Sequence, residues 1–441
     1  MLYLALPVST ALLAVSFPED YYQTYRTPKF LDAQSGLALI VLVAVFGVGL
    51  LAATRGARHS PQRRLLLSQR NTLWILCFYR LSFVAALVGY LVWGANAVRA
   101  GIGLNELQSV LGRESSALSS LRGSVENIAG VTTLTQLAPF AVVAGFILHR
   151  IGRTNRLYLI FIPLALVRVM FNAERLAIIE VVVPLTVVWS IVTLGANRHR
   201  RLIQFLPVYG LAGLIIVFAA AEYVRTWVYY QNYTELSYPI WVMLRMVGYY
   251  VTGYNNSALY FYTGSEYTPI PYHSVSWFWN FPGLQSIIPY PHSGNAEPVE
   301  GWIESLEQYA NPEFNNTGSF LVIGAEIGVI PAAIALLVTG LIVGSTFKAA
   351  VRGSAVYLIA YALLIVGLLE LPRFLYWSYG RFFPIVLLLS VFVLLAPKFR
   401  KAGGTRDPAA TQSGYNRASR AKSIQADSTE AHSRGSQTRR K

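Results

Sequence analysis

The sequence predicts an all-α polytopic integral membrane protein, with about ten transmembrane helices and a large external loop containing short helices. Three observations predict this class. Charged residues make up only 13% of the 441 residues, against about 25% in a soluble domain. Hydrophobic residues make up 54%, and the mean hydropathy is +0.45. Apolar runs near the ~20 residues that a helix needs to cross a bilayer recur along the chain. They have helix length rather than the short alternating pattern of a membrane β-barrel.

Taken in order, the spans are expected at 2–17, 35–53, 72–95, 134–149, 157–170, 176–195, 202–221, 319–346, 353–371 and 382–397. The first resembles a signal-peptide core, but it has no basic residues ahead of it and no A-x-A cleavage site, so it is read as a helix. The stretch "PIWVMLRMVGYYVTGYNNSALYFY" (239–262) is also strongly apolar. Arg245, Asn255 and Asn256 interrupt it, and an eleventh span would move the basic tail to the other side. It is therefore read as an interfacial or re-entrant helix. Residues 1–400 form the membrane domain. Residues 401–441 are polar, rich in small residues and without helical period, which predicts a disordered basic cytoplasmic tail.

Orientation follows from the basic residues. The segments 55–70, 150–156, 198–201 and 348–352 and the tail from Lys398 hold 24 of the 36 Lys and Arg. The positive-inside rule makes that side the cytoplasm and puts both termini there, in agreement with an even span count. This distribution accounts for most of the net charge of +15 as topology signals and contacts to anionic lipid. No nucleic-acid partner is needed. Cys77 is the only cysteine, so there is no disulfide framework or thiol–metal site. The six histidines lack metal-ligand spacing, and no Walker or dinucleotide motif is present. No metal or cofactor is expected.

Two external loops remain, about 96–133 and 222–318. The first contains "LNELQSVLGRESSALSSLRGSVENIAGV", a polar, partly amphipathic stretch suited to a membrane surface. The second concentrates 14 of the 27 Tyr and five of the nine Trp. An aromatic belt at the interface explains part of this. Stacking on sugar or polyprenyl surfaces in a substrate groove explains it as well.

The stretch "RVMFNAERLAII" places charge between two apolar runs. Arg168 ends one expected span and Arg175 begins the next, one seven-residue step apart, so in a helix they share a face. Arg225, Arg245, Arg373 and Arg381 reach the same side, as do Glu174, Glu222, Glu326 and Glu370. Singly, each reads as a snorkelling anchor or an ion pair at a helix end, and most clearly so for Arg373 and Arg381 in their short loop. Together, several guanidiniums at one face suit a multiply charged anion, because the planar fork matches phosphate.

The R-x6-R hairpin, "RMVGYYVTGYNNSALYFY", "NNTGSFLVIGAEIGVIPAAIALLVTGLIVG" and the late large loop resemble the O-antigen polymerase family, the Wzy-type oligosaccharide repeat-unit polymerases. The resemblance covers most of residues 30–400 in architecture. Glu326 stands where the family more often has Asp. The third segment is also similar to O-antigen ligases, which place a His beside the Asn; here Asn315, Asn316 and Thr317 stand instead.

The resemblance implies a metal-independent membrane glycosyltransferase in the bacterial cytoplasmic membrane. It would polymerise undecaprenyl-diphosphate-linked oligosaccharides at the outer face, for a surface polysaccharide. It also implies a chain-length regulator and a flippase as partners. Arg168, Arg175 and Arg245 are the diphosphate candidates. Glu326, Glu222 and His292 are the base candidates. Arg225, Tyr250, Asn255, Asn256, Asn315 and Asn316 are the substrate-binding candidates, with Asn316 alternatively an N-cap and Gly324/Gly328 a helix-packing pair. The rival readings are ligase-like glycan transfer and a lipid-linked-sugar transporter or flippase, although no internal repeat is evident.

Overall fold

In a computed structural model, residues 2–56, 65, 67–100, 130–172, 176–194, 205–227, 230–267, 270–281, 283–284, 286–291 and 298–397 are described. Among them there is helix and no strand. Five helices are long and apolar enough to cross a membrane: Ala33–Thr54, Gln69–Arg99, Thr132–Arg150, Leu176–Thr193 and Val329–Val351. Four shorter apolar helices, Ala5–Ser16, Val208–Glu222, Ala355–Glu370 and Gly380–Leu394, fall on further expected spans. The expected span at 157–170 is a 3-10 turn, Arg156–Ile160, followed by a twelve-residue helix, and belongs to neither set. The described residues thus form an all-α architecture with five helices long and apolar enough to cross a membrane, together with shorter apolar helices.

The elements that position the site are these. Helix α1 is Leu2–Ser16 and α2 is Glu19–Gln23. Helix α3, Ala33–Thr54, starts on a capping box. Asp32 accepts from Ser35 N at 2.8 Å, and Asp32 N donates back to Ser35 Oγ at 3.1 Å, so orphan donors at both positions are satisfied. Helices α4 (Gln69–Arg99), α5 (Ala138–Arg150), α6 (Phe161–Asn172), α7 (Leu176–Leu194) and α8 (Leu206–Glu222) follow. Next come α9 (Tyr238–Tyr267), α10 (Ser276–Trp279), α11 (Pro298–Tyr309), α12 (Ser319–Ile327), α13 (Val329–Val351), α14 (Ala355–Glu370) and α15 (Phe383–Leu394).

The core is centred on α5 and α14, which are apolar all round and buried along most of their length, as a helix inside a bundle must be. Helices α3 and α13 pack backbone to backbone. A Cβ on Gly49 would run into the Leu337 carbonyl, and one on Gly340 into that of Phe46. One on Gly344 would come within 2.7 Å of the Leu50 carbonyl. Small residues at such a seam replace the hydrophobic drive that lipid removes.

Two expectations change here. The stretch 239–262 lies in one continuous helix, α9, of 30 residues, about 45 Å long. Every residue from 251 to 260 is buried, which does not suit an interfacial position for that half, while Ile240 and Met243 are exposed. Helix α9 is not among the helices long and apolar enough to cross a membrane, in line with the expectation that it does not span. The expected span 319–346 is two helices. Gly328, at φ +85°, takes a backbone conformation that only glycine adopts readily and separates α12 from α13. It is a break, not half of a packing pair; Gly324 alone packs, with a Cβ there 3.3 Å from Leu42.

The chain separates into Met1–Ala396, which holds all these helices, and Pro397–Lys441. The expected disordered tail and the amphipathic stretch in 96–133 lie outside the described residues.

Candidate functional site

Helix α9 carries Trp241, Arg245 and Tyr249 at four-residue steps, so they share one face. Arg245 Nε donates to Glu222 Oε2 at 2.7 Å, and Thr226 Oγ1 donates to the same oxygen at 2.6 Å. Glu222 is 0% exposed, and the buried guanidinium offsets the cost of burying its carboxylate. Four rings surround that guanidinium: Phe314 at 5.2 Å, Trp241 at 5.3 Å, Tyr230 at 5.6 Å and Tyr249 at 5.8 Å. Its two Nη groups make no hydrogen bond among the described residues.

A second arginine meets the same ring. Arg373, in the loop 371–382, lies 5.4 Å from the centre of Tyr249 and 5.6 Å from that of Phe374. Its Nη1 donates to Glu370 Oε2 at 2.6 Å, while its Nε is buried with no partner among the described residues. The loop is docked tightly. A Cβ on Gly253 or Gly318 would stand 3.1 or 3.0 Å from the Pro372 carbonyl. Gly318 N donates to Gly253 O at 2.8 Å, and Ser319 Oγ to Leu371 O at 2.7 Å. Glycine in "VTGYNN" and "NNTGS" is what lets α9, α12 and the loop meet.

The same loop reaches a buried polar network. Arg168 Nη1 donates to Thr135 Oγ1 at 2.8 Å. With the Gln136 amide oriented by its neighbours, its oxygen accepts from Arg168 Nη1 at 3.2 Å and its nitrogen donates to Glu180 Oε2 at 2.8 Å. Tyr376 Oη donates to Glu180 Oε1 at 3.1 Å. Burial first, and the Glu180 carboxylate second, hold the Tyr376 phenol well above its usual range, so it stays a donor. Tyr376 stacks on Phe382 at 3.8 Å, and Arg381 lies 4.6 Å from the Phe382 centroid. A cavity of about 140 Å³ opens beside Glu180, Gln136 and Tyr376, with an apolar wall that includes Pro184, Leu364 and Trp377.

Glu326 has another setting. Its Oε1 accepts from Tyr260 Oη (3.1 Å), Tyr272 N (3.2 Å) and His273 N (2.6 Å), and its Oε2 from Ser274 N (2.8 Å). It ties the segment 272–274 to α12. Burial pushes the His273 imidazole below its usual range, and Glu326 pulls it the other way.

The remaining sequence candidates divide clearly. Asn255 and Asn256 are buried and engage backbone. Asn255 Oδ1 accepts from Phe30 N at 2.7 Å, and its Nδ2 donates to Pro28 O at 2.7 Å. Asn256 Nδ2 donates to the carbonyls of Phe314 and Asn316. Asn315 is exposed and Asn316 half-buried. Asn316 is not the N-cap of α12; Gly318 holds that position. Tyr250 is half-buried on α9 and interacts electrostatically with Arg373. Arg225 falls in the turn Tyr223–Trp227. Arg175, Glu174 and His292 lie outside the described residues, so the shared face of Arg168 and Arg175 stands on sequence alone.

Arg373, which sequence alone reads as an anchor or an ion pair at a helix end, makes that pair with Glu370 and also meets Tyr249; Arg381 lies over Phe382. Tyr249, Glu180, Gln136 and Tyr376 are not among the sequence candidates. The W-x3-R-x3-Y spacing on α9 is legible in the sequence; the pairings that cross the chain have no local signal. Compared with known proteins, the chain matches no family model, no curated protein and no solved structure.

Proposed function

We propose that the protein is a metal-independent membrane glycosyltransferase. In this reading it polymerises undecaprenyl-diphosphate-linked oligosaccharide repeat units at the outer face of the bacterial cytoplasmic membrane, with both termini in the cytoplasm. The observation that carries this reading is the pair Arg245 and Arg373 around Tyr249. Two guanidiniums with unspent N–H groups, walled by Trp241, Tyr230 and Phe314, suit a diphosphate attached to an apolar chain and a sugar.

In the reaction, an acceptor hydroxyl attacks the anomeric carbon of the donor glycan. The bond from that carbon to the diphosphate oxygen breaks, and the lipid diphosphate leaves with the electron pair. Arg245 and Arg373 stabilise the charge that grows on it. Arg168, fixed by Thr135 and Gln136, and Arg175 remain diphosphate candidates. The acceptor proton passes to a carboxylate or imidazole. Glu326 is engaged by four protein donors, so its role in this reading is to hold the 272–274 segment. Asn255 and Asn256 are scaffold. Glu222 positions Arg245; Arg225, Tyr250, Asn315 and Asn316 remain substrate-side candidates, and His292 remains a base candidate.

One observation favours a second reading, a lipid-linked-sugar transporter. Helices α12 and α13 are parted at Gly328, and discontinuous helices mark transporter sites. A single experiment separates the two. Purified protein is reconstituted into vesicles and given lipid-linked oligosaccharide without ATP. Polymer supports the enzyme. Movement of substrate between leaflets with no polymer supports the transporter. Transfer to a different lipid acceptor with no repeat-unit polymer supports the ligase-like variant.

A further inference from the structure

Trp279 and Tyr290 anchor the two ends of a short excursion. Trp279 Nε1 donates to Pro271 O at 2.8 Å, Tyr290 Oη donates to Ile270 O at 2.6 Å, and their rings meet edge-on at 4.9 Å. Between them the chain winds in successive turns, with Leu284 N bonding Phe281 O at 3.0 Å and Ile288 N bonding Leu284 O at 2.7 Å. The tip presents apolar side chains outward. Phe281 is 42% exposed, Ile287 77% and Ile288 48%. From Tyr267 to Ala296 the chain has no Asp, Glu, Lys or Arg. A water-facing loop of that length normally carries charge, and an exposed apolar patch marks a surface that something covers.

The ground under this tip is the start of α15. Phe281 meets the Phe383 ring at 5.1 Å, and Trp277 stacks on it at 5.4 Å with 13° between the planes. Phe383 is the first residue of α15, whose flank exposes Leu387, Val391 and Leu394. Twelve residues rise about 18 Å, well short of the ~30 Å of bilayer hydrocarbon. The surface past its N-terminus must therefore be apolar too, or the mismatch is left to the lipid. Trp277 and Phe281 supply that surface, and Ile287 and Ile288 extend it.

We infer that Phe281, Ile287 and Ile288 insert into the membrane leaflet on their own side of the bilayer, with lipid acyl chains covering them. The occupant is lipid because the patch is continuous with the exposed apolar flank of α15 and because insertion buries no charged side chain. Trp277, half-buried against Phe383, supplies an indole of the kind favoured at the interface. This inference does not depend on the chemistry proposed above.

The single cysteine makes the test direct. In full-length protein carrying Cys77→Ser, Ile287→Cys is labelled with a nitroxide and reconstituted into phosphatidylethanolamine–phosphatidylglycerol vesicles. Relaxation by oxygen, which concentrates in lipid, is compared with relaxation by a water-soluble nickel chelate. Leu387→Cys on α15 gives the lipid reference, and Glu304→Cys, exposed on α11, gives the water reference. The Ile287 label, and an Ile288→Cys label in a separate variant, are expected to match Leu387. Chelate access equal to that at Glu304 overturns the inference. Shielding from both reagents with spin–spin broadening overturns it too, in favour of a second copy of the chain.

Discussion

Arg245 and Arg373 lie 5.8 and 5.4 Å from the centre of one ring, that of Tyr249. One arrives on α9 and the other on the loop after α14, and each brings its own carboxylate, Glu222 at 2.7 Å and Glu370 at 2.6 Å. The carboxylates offset the cost of burying two guanidiniums. They engage Nε of one and Nη1 of the other.

If the two guanidiniums grip a diphosphate, lysine cannot replace them, because it keeps the charge and loses the fork. Arg373→Ala and Arg245→Ala are expected to lower polymer synthesis by about 10²–10³-fold, by analogy with loss of one oxyanion donor. The Lys variants should be impaired less but clearly. Polymer ladders at matched membrane levels, with melting temperatures alongside, provide the check. Full ladders from Arg373→Lys and Arg245→Lys would return both residues to the role of anchors.

Glu180 is 3% exposed and holds Tyr376 and Gln136 at once. Glu180→Ala removes the acceptor of the Tyr376 hydroxyl and the Gln136 amide nitrogen and should cost about 1–3 kcal/mol for each donor left unsatisfied. Glu180→Gln keeps the shape and should cost less. Tyr376→Phe removes one hydrogen bond and should cost about 1 kcal/mol. That order is read from thermal unfolding in detergent. An order in which Tyr376→Phe is the most damaging would mean that the carboxylate is held by something else.

The sequence announces the apolar helices well, because a run of twenty residues without charge has few other solutions in a bilayer. Asp32 followed by Ser35 announces the start of α3 in the same local way. What sequence does not show is how α9 comes to be half buried. Arg245, Asn255 and Asn256 look like interruptions when read along the chain. In the bundle each meets a partner from a distant segment: Glu222, the Pro28–Leu31 backbone, and the Phe314–Asn316 backbone. Burial that depends on a remote partner leaves no trace in local hydropathy. For Arg373 the local ion pair that sequence suggests is present, with Glu370 at 2.6 Å, but the Tyr249 ring it also meets lies on another element and leaves no local signal. Gly328 is the reverse case. Its φ of +85° ends a helix that composition alone continues.

Asp32 gives a pH-dependent test. Its carboxyl is held below the ordinary value of 3.8, first by the hydrogen bond from Ser35 N and then by the Ser35 and Tyr262 hydroxyls. A depressed folded value means that the stabilisation is fully present above the unfolded value. It is lost as pH falls through the folded one. Asp32→Ala is expected to cost about 0.5–2 kcal/mol at pH 7, as for other N-caps. The gap in melting temperature between wild type and variant should stay constant down to about pH 5 and shrink below the ordinary carboxyl range. A gap that widens on acidification would contradict the capping role.

Glu326 is the clearest case for separating architecture from chemistry. Three backbone N–H groups and the Tyr260 hydroxyl converge on its two oxygens. Removing the carboxylate strands those donors, at about 1–3 kcal/mol for each one left buried and unsatisfied. The segment 272–274 should then detach from α12, carrying with it the base of the loop anchored by Trp279 and Tyr290. Glu326→Gln keeps one acceptor oxygen but turns an NH2 group toward donors, so it should restore only part of the hold. Limited proteolysis of the 283–297 region is expected to run slowest in wild type, faster in Glu326→Gln and fastest in Glu326→Ala, with faster amide exchange at Tyr272, His273 and Ser274. Cleavage and exchange unchanged in Glu326→Ala, together with abolished polymer synthesis, would instead make Glu326 a reacting group.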